Sequence, residues 1–411
     1  MKSWRLISAL LAVAAVALAG CSGKGVPINP PTPLEAFQPE LKVEQRWSRQ
    51  LGQGSENLHL KLRPLLDDER IFAASHGGIV LAVDARSGRQ LWRVELNAEL
   101  NAGPADAGEW LLFGTVSEVI SLNKRDGSVV WRSEIGSEAL SMPAWHPEVV
   151  VVHAGDGHIF GLNSQDGEIL WRHHESVPSL SLRGTGDPVI IGDEGVLVGT
   201  ASGKVLALSL RDGQILWEST IATARGRTEL ERMTDVDAEL GIAEGVVYAA
   251  SYQGVLAAVA MAGGQMVWNR DIASSSGISV DGEQIYVSDL DGNVWALSRR
   301  NGATMWRQQG LQYRQLSAPI QQGNYLIVGD YNGFLHWLSK DDGRLVARAR
   351  IGGISGLGVG SDPRPSARRA PRNDRAVVMA PRVQSTWVYA MDKRGSLEAY
   401  EVTLLEGKGT R

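Results

Sequence analysis

Three neighbouring residues carry side chains that could bind a metal. His173, His174 and Glu175 place two imidazoles and a carboxylate in one run, and these are groups that zinc commonly uses as ligands. Adjacent side chains on an extended segment point in opposite directions, however, and no further ligand follows at a spacing typical of zinc sites. We therefore predict no metal site here.

Other motifs of enzyme chemistry are weak or missing. The run Gly356-Leu357-Gly358-Val359-Gly360 resembles a dinucleotide-binding loop in its glycines alone, because no strand–helix–strand unit surrounds it. Neither a Gly-x-Ser-x-Gly elbow nor a phosphate-binding loop is found, and the acidic residues lie mostly in turns, where aspartate serves the backbone. The sequence therefore predicts a protein that is not an enzyme and that uses no cofactor.

The clearest chemistry belongs to Cys21, the only cysteine of the chain. Lys2 and Arg5 precede an apolar stretch, Leu6–Leu18, which has the length of a signal-peptide core and is too short to span a bilayer. The stretch ends at Leu18-Ala19-Gly20-Cys21, which looks like a bacterial lipobox. We expect residues 1–20 to be a signal peptide and Cys21 to carry a lipid.

Residues 21–42 are expected to form a tether between the lipid and a folded body. They contain several prolines and no apolar periodicity, which indicates an extended chain that reaches roughly 60 Å. Ser22 follows the cysteine where an aspartate would retain a lipoprotein in the inner membrane, so the predicted location is the periplasmic face of the outer membrane. The formal net charge of −5 gives no reason to expect nucleic acid as a partner.

From residue 43 to residue 411 the sequence is repetitive. A two-residue turn that ends in glycine is followed four residues later by tryptophan, as in Asp166-Gly167 and Trp171, and the unit recurs about every 40 residues. This period is typical of β-propeller blades, each of which is a four-stranded antiparallel sheet. The tryptophan positions are Trp92, Trp131, Trp171, Trp217, Trp268 and Trp306, and the seventh unit has Ala347 instead.

The two ends of the repetitive region complete one further blade. Val43–Leu51 contains Trp47 and resembles an isolated fourth strand, whereas residues 395–402 match a third strand that no fourth strand follows. A closed ring leaves no long unpaired edges, so we expect the two ends to pair. The predicted fold is an all-β, eight-bladed propeller that is closed by its N-terminal strand.

The tryptophans are predicted to be structural. An indole at a fixed position of the fourth strand can pack between neighbouring blades and donate its N–H to a backbone carbonyl. A row of ligand-binding rings would instead require these side chains to line the central channel. Ala347 predicts that one interface between blades is packed differently or is weaker.

Two long connections interrupt the regular spacing. Intervals of 46 and 51 residues stand out between tryptophans, and the additional residues fall in 172–186 and 221–241. Both segments link a fourth strand to the first strand of the next blade, so both lie on one face of the ring and form a candidate interaction surface. Leu180, Leu182 and Arg183 have the chemistry of a binding hot spot, unless the leucines pack inward. The second connection is rich in charge and could equally be a solvated loop.

With these features together, the chain is similar to the BamB family, the propeller lipoproteins of the outer-membrane β-barrel assembly machinery. The most specific stretches are Pro178–Gly184, Thr234–Asp237 and Val328–Trp337. A Gly-, Pro- and Arg-rich segment at 352–374 departs from the family pattern and is expected to be a disordered insertion. The resemblance implies binding to a periplasmic POTRA domain of the barrel subunit BamA and membership of the Bam complex. The partner-contact positions that it implies are Leu180, Leu182, Arg183, Asp235 and Asp237.

Three further hypotheses concern ligands and substrates. Unfolded outer-membrane proteins could pair with exposed blade edges. A quinoprotein dehydrogenase would share the propeller, but in many members it needs a disulfide, which one cysteine cannot form, and long insertions that this chain lacks. A glycan-binding propeller stays open, because the residues that line the channel cannot be identified from the sequence.

Overall fold

Short apolar strands and glycine turns fold into eight antiparallel sheets. The computed structural model describes residues 29–56, 58–182, 184–252, 254–352, 375–377 and 379–405, and the residues from Thr32 onward belong to one unit. Each sheet is a four-stranded blade, and the strand β2 adds to one of them in parallel. The predicted eight-bladed propeller is confirmed.

The blades are numbered here in chain order, with strands whose bounds are as follows. Blade 1 contains β3 (Leu65–Asp67), β4 (Arg70–Ala74), β5 (Ile79–Asp84) and β6 (Gln90–Glu95); blade 2 contains β7 (Leu100–Ala107), β8 (Trp110–Thr115), β9 (Glu118–Asn123) and β10 (Val129–Glu134), with β2 (Lys61–Leu62) beside β7; blade 3 contains β11 (Ala144–Trp145), β12 (Val149–His153), β13 (His158–Asn163) and β14 (Ile169–His174). Blade 4 contains β15 (Val189–Ile191), β16 (Gly195–Gly199), β17 (Lys204–Ser209) and β18 (Ile215–Thr220); blade 5 contains β19 (Gly241–Ala243), β20 (Val246–Ala250), β21 (Val255–Ala260) and β22 (Met266–Asp271); blade 6 contains β23 (Ile278–Asp281), β24 (Gln284–Ser288), β25 (Val294–Ser298) and β26 (Thr304–Gln308). Blade 7 contains β27 (Ile320–Gln322), β28 (Tyr325–Gly329), β29 (Phe334–Ser339) and β30 (Leu345–Arg350); blade 8 contains β31 (Arg382–Gln384), β32 (Trp387–Met391), β33 (Ser396–Leu404) and β1 (Leu41–Gln50). A 3₁₀ turn is formed by Leu230–Arg232.

The core lies between the blades. The middle strands are apolar on both faces, as in β12, where all five residues are buried, because each blade packs against a neighbour on either side. The outermost strands, such as β22, expose alternate side chains, which is the pattern of a sheet edge that faces water. Within the described residues, no helix has the length and apolar character needed to cross a membrane.

The ring closes as predicted. Strand β1 pairs antiparallel with β33 from Leu41 opposite Leu404 to Gln50 opposite Ser396. One blade is thus assembled from both ends of the repetitive region, and no free edge is left between the two ends.

The tryptophans pack between blades. The indole N–H of Trp171 donates to the carbonyl of Leu210 in the next blade at 2.8 Å, and the ring covers the turn glycine Gly213. The same arrangement recurs for the other six, whose acceptors are the carbonyls of Ala85 for Trp47, Lys124 for Trp92, Ser164 for Trp131, Met261 for Trp217, Arg299 for Trp268 and Lys340 for Trp306. Each indole therefore joins one blade to the turn of the following blade.

Blade 7 is packed differently, as Ala347 predicts. In the other blades the tryptophan of the fourth strand faces a small residue of the third strand, such as Gly161 opposite Trp171. In blade 7 the large residue is on the third strand, where Trp337 lies opposite Ala347 and is fully buried. The neighbouring blade 8 has no turn between its third and fourth strands, so a tryptophan at 347 would have no turn glycine to cover.

The N-terminal part of the propeller unit differs from the sequence-based expectation. Residues 32–40, which we expect to be part of the tether, lie against blades 6 and 7, and Leu34 is only 5% exposed. The predicted insertion at 352–374 lies outside the described residues, except for Gly352.

Candidate functional site

The two long connections lie side by side. They are residues 175–188, between β14 and β15, and residues 221–240, between β18 and β19. The hydroxyl of Ser179 donates to the carboxylate of Glu229 at 3.2 Å, and the amide of Leu182 donates to Oδ1 of Asp235 at 2.8 Å. The two loops are therefore in contact, as expected of neighbouring connections on one face.

The two leucines of the first loop face different spaces. Leu180 is 41% exposed and lines a cleft of about 460 Å³ between the loops, together with Pro178 and Ala224. Leu182 is half-buried and borders a second cavity of about 290 Å³, where Tyr252 also contributes. The alternative in which both leucines pack inward therefore does not hold for Leu180. Arg183 lies outside the described residues.

The two aspartates are buried beneath the loops. Asp235 is 1% exposed, and burial raises the pKa of its carboxyl above the usual range. Its Oδ1 fixes the backbone of the first loop by accepting the amide of Leu182. Asp235 can therefore hold the shape of the surface without being exposed on it.

Asp237 is a carboxyl group on a cavity wall. It is 8% exposed, and neither of its carboxyl oxygens has a hydrogen-bond partner in the part of the chain that the structure describes. Burial, followed by the neighbouring charges of Asp235 and Asp187, raises its pKa to about 7, although Lys61 acts in the opposite direction. The group is thus partly protonated near neutral pH.

A third long connection, which we did not single out in the sequence, lies on the same face. Residues 51–64 link β1 to β3, and Lys61 reaches across to the carboxylate of Asp187 at 2.8 Å and to the carbonyl of Thr185. Arg63 contacts Glu239 at 2.6 Å. The segment thus supports both long loops from the side of the channel. The interval of 45 residues from Trp47 to Trp92 was the available signal.

The charges around this segment influence one another. Burial opposes the ionisation of Glu239, but Arg63 holds its pKa below the usual value. Burial and the nearby charge of Arg63 lower the pKa of Arg382 to about 10. Arg63 and Glu239 form an ion pair here, whereas Arg382 donates to the carbonyl of Pro64 at 3.0 Å.

Polar residues that the sequence did not reveal line a cavity of about 330 Å³ at the axis. They include His59, Ser275, Ser276, Asp289 and Lys393. Such a lining can accept a polar ligand.

The residues of the suspected metal motif diverge. The ring of His174 lies 4.6 Å from that of His158, whereas His173 approaches Glu175 at 3.4 Å. Among the residues described, no group of three His, Cys, Asp or Glu side chains is arranged to hold a metal ion.

Comparisons of the sequence with known proteins all identify the same family. A family model described as outer membrane protein assembly factor BamB matches residues 76–308. Proteins named outer membrane protein assembly factor BamB are 41% identical in Alkalilimnicola ehrlichii, over 84% of this chain and 89% of that protein, and 36% identical in Pseudomonas aeruginosa, over 98% and 100%.

Solved structures give the same fold. The crystal structure of BamB from Moraxella catarrhalis superposes with a TM-score of 0.75 at 27% identity, over 87% of this chain and 99% of that chain. A quinohemoprotein alcohol dehydrogenase from Pseudomonas putida reaches a TM-score of 0.68 at 11% identity, over 90% of this chain and 78% of that chain. The second likeness is one of fold alone.

Proposed function

The chain belongs to the family of the outer membrane protein assembly factor BamB, and from this premise we propose that it is a non-enzymatic scaffold of outer-membrane protein assembly. The observation that carries the proposal is the pair of hydrogen-bonded loops that present the exposed Leu180. Loops on a rigid propeller are suited to binding a partner protein.

We propose that a periplasmic POTRA domain of BamA docks on these loops. Leu180 and Leu182 would be the apolar anchors, and Arg183 would form a charge-assisted hydrogen bond with the partner. Asp235 and Asp237 would act from beneath, because both are buried. Asp235 would keep Leu182 in place, and Asp237 would close the wall of the cavity next to Gly184.

We further propose the cellular location that such a role requires. Removal of residues 1–20 and lipidation of Cys21 would anchor the protein to the periplasmic face of the outer membrane. Other faces of the propeller could then guide unfolded outer-membrane proteins through the exposed edges of the blades.

Partner binding can be tested with the full chain extracted in detergent and the periplasmic domains of BamA from the same organism. The variant Leu182→Asp/Arg183→Glu should lose at least about tenfold in affinity, because it removes an anchor and reverses a charge. The variant Leu216→Asp/Arg211→Glu is a matched control, because it makes the same changes of type outside the two loops. Leu216 is 56% exposed on β18, the outer strand of blade 4. Full-strength binding by the first variant, with an unchanged melting temperature, would refute the proposed site.

The glycan-binding alternative is favoured by one observation, the polar lining of the axial cavity. Titration calorimetry with soluble peptidoglycan fragments tests it directly. We expect no heat of binding above that of a Ser275→Leu variant, in which the cavity is partly filled.

A further inference from the structure

The N-terminal segment, residues 32–40, docks on blade 7 and on the loop that precedes this blade. The amide of Thr32 donates to the carbonyl of Gln312 at 3.0 Å, and the amide of Glu40 donates to the carbonyl of Val346 on the outer strand at 2.8 Å. Between these points, the buried side chain of Leu34 joins an apolar cluster with Phe334. Residues 32–40 are thus held at both ends and in the middle.

A buried charged cluster lies beneath this segment. Nε of Arg314 donates to Oδ2 of Asp330 at 2.7 Å, and Nε of Arg348 donates to Nδ1 of His336 at 3.2 Å. Burial lowers the pKa of His336, although Asp330 acts in the opposite direction. Because Nδ1 accepts from Arg348, the proton of the neutral ring is on Nε2, which lies 3.1 Å from the Asp330 carboxylate. Arg314, Asp330 and His336 are at most 1% exposed.

Both arginines extend from the cluster to the segment. Nη1 of Arg314 donates to the carbonyl of Thr32 at 3.0 Å, and Nη1 of Arg348 donates to the carbonyl of Glu35 at 3.3 Å. The guanidinium of Arg348 also lies 5.0 Å from the centre of the Phe37 ring.

The clustered residues suggest a role for a family-specific stretch of the sequence that the proposed partner binding does not explain. Val328–Trp337 contains Asp330, Phe334 and His336, yet it is remote in sequence from both partner-binding loops. Phe334 shares an apolar cluster with Leu34, and Asp330 and His336 bind the two arginines that contact the segment, which indicates a function in holding that segment.

We propose that Arg314, Asp330, His336 and Arg348 form a clasp that fixes residues 32–40 on blade 7 and sets the point where the lipidated chain leaves the propeller. The consequence for the membrane rests on the proposed lipidation of Cys21. Eleven peptide units separate Cys21 from Thr32 and span at most about 40 Å, compared with about 75 Å for a chain that is free up to residue 42.

The exit point also selects a face of the ring. Gln312 belongs to the connection between β26 and β27, which joins a fourth strand to a first strand. This connection is on the same face as the loops at 175–188 and 221–240. The clasp therefore keeps the loop-bearing face, at the side of blades 6 and 7, close to the membrane.

The clasp itself can be tested by chymotrypsin digestion of the full chain, with cleavage after Phe37 followed by mass spectrometry. Arg348→Met should increase the rate of this cleavage about tenfold, because proteolysis follows the population of the detached segment. Leu34→Ser attacks the contact from the other side without touching the blade and keeps the cleavage site at Phe37, and it should give a similar increase. Glu35→Ser, which changes an exposed side chain of the same segment, is the matched control and should leave the rate unchanged.

The orientation can be tested in vesicles of phosphatidylethanolamine and phosphatidylglycerol that contain a fluorescent acceptor lipid. Gln309→Cys places a donor dye on the loop-bearing face of blade 6, and Arg300→Cys places one on the opposite face; both positions are exposed. Energy transfer should be stronger from position 309, and the difference should diminish when Arg348→Met is added.

Each result has one meaning. Equal cleavage rates in the parent chain and in Arg348→Met would overturn the clasp, and an unchanged transfer difference would overturn its role in orientation. Failure of the parent chain to bind vesicles would instead refute the proposed lipid anchor, while the digestion would still decide whether the clasp exists.

Discussion

At the scale of single residues, the repeated tryptophans and glycines form one structural device. Each indole satisfies its N–H on a carbonyl of the next blade and places its ring over the glycine of that turn. A buried indole with a satisfied donor contributes both area and direction. The high content of both residue types therefore reflects how blades are joined, and it requires no ligand.

The close approach of ring and turn predicts a steric effect at Gly213. A Cβ there would lie 2.4 Å from the Trp171 ring, at a φ of +69°. Gly245 has a similar φ of +75° but open space around it. Gly245→Ala should cost about 1 kcal/mol of unfolding free energy, and Gly213→Ala should cost a further 1–3 kcal/mol, roughly, from overpacking. Equal losses in urea denaturation would contradict the packing argument.

The buried carboxyl of Asp237 predicts a pH effect. Its pKa is raised from 3.8 to about 7 in the folded protein, so the folded state binds the proton more tightly than the unfolded state. The stability that this group contributes is complete below about pH 4 and is lost as the pH rises to about 7, by at most about 1.4 kcal/mol per pH unit. The isosteric variant Asp237→Asn should lack this term. Unfolding free energies of both proteins between pH 4 and 8 would check it, and a constant difference would refute it.

At the scale of elements, the sequence predicted the long loops that follow β14 and β18 but not the role of the segment that follows β1. The spacing between tryptophans revealed the connections at 172–186 and 221–241, because additional residues lengthen the interval from one tryptophan to the next. It could not show that Asp235 lies under Leu182, since burial depends on how the two loops pack. The segment at 51–64 was missed because its importance comes from Lys61 and Arg63, which reach residues more than 120 positions away.

The support that this segment gives to the first loop can be measured. Asp187 is buried and accepts both Lys61 and the amide of Met142. Lys61→Met leaves the carboxylate without its cation and should cost about 3–5 kcal/mol. Lys61→Met/Asp187→Asn removes the charge but keeps an acceptor for Met142, so most of the stability should return. Thermal unfolding decides the question: equal losses in the single and double variants would show that the ion pair itself is unimportant.

At the scale of the whole molecule, repetition made the ring predictable. Each blade contacts mainly its two neighbours, so a local pattern that recurs specifies the architecture. The docking of residues 32–40 could not be predicted in this way. Their proline content indicates an extended chain, and the surface that receives them is built from Gln312, Arg314 and Arg348, nearly 300 residues later.

Closure distinguishes blade 8 from the others, because its third and fourth strands are not joined by a turn. The pairing of β1 with β33 must therefore be formed between distant parts of the chain, and its entropic cost is correspondingly larger. The same missing turn accounts for the exchange of Trp337 and Ala347 in blade 7. The seam of the ring thus has its own packing and its own energetics.

A disulfide across the seam should reveal this cost. Glu44 lies opposite Glu401 in the register of β1 and β33, so Glu44→Cys/Glu401→Cys would close a loop of about 360 residues, for which chain entropy predicts a gain of about 6 kcal/mol. The matched pair Glu118→Cys/Glu134→Cys joins strands β9 and β10 of one hairpin, and its loop of about 17 residues should give about 3 kcal/mol. Native Cys21 is present in both variants, so it does not affect the comparison. Unfolding of each protein before and after reduction gives the two gains, and a seam disulfide that stabilises no more than the hairpin disulfide would show that closure is already complete in the unfolded ensemble.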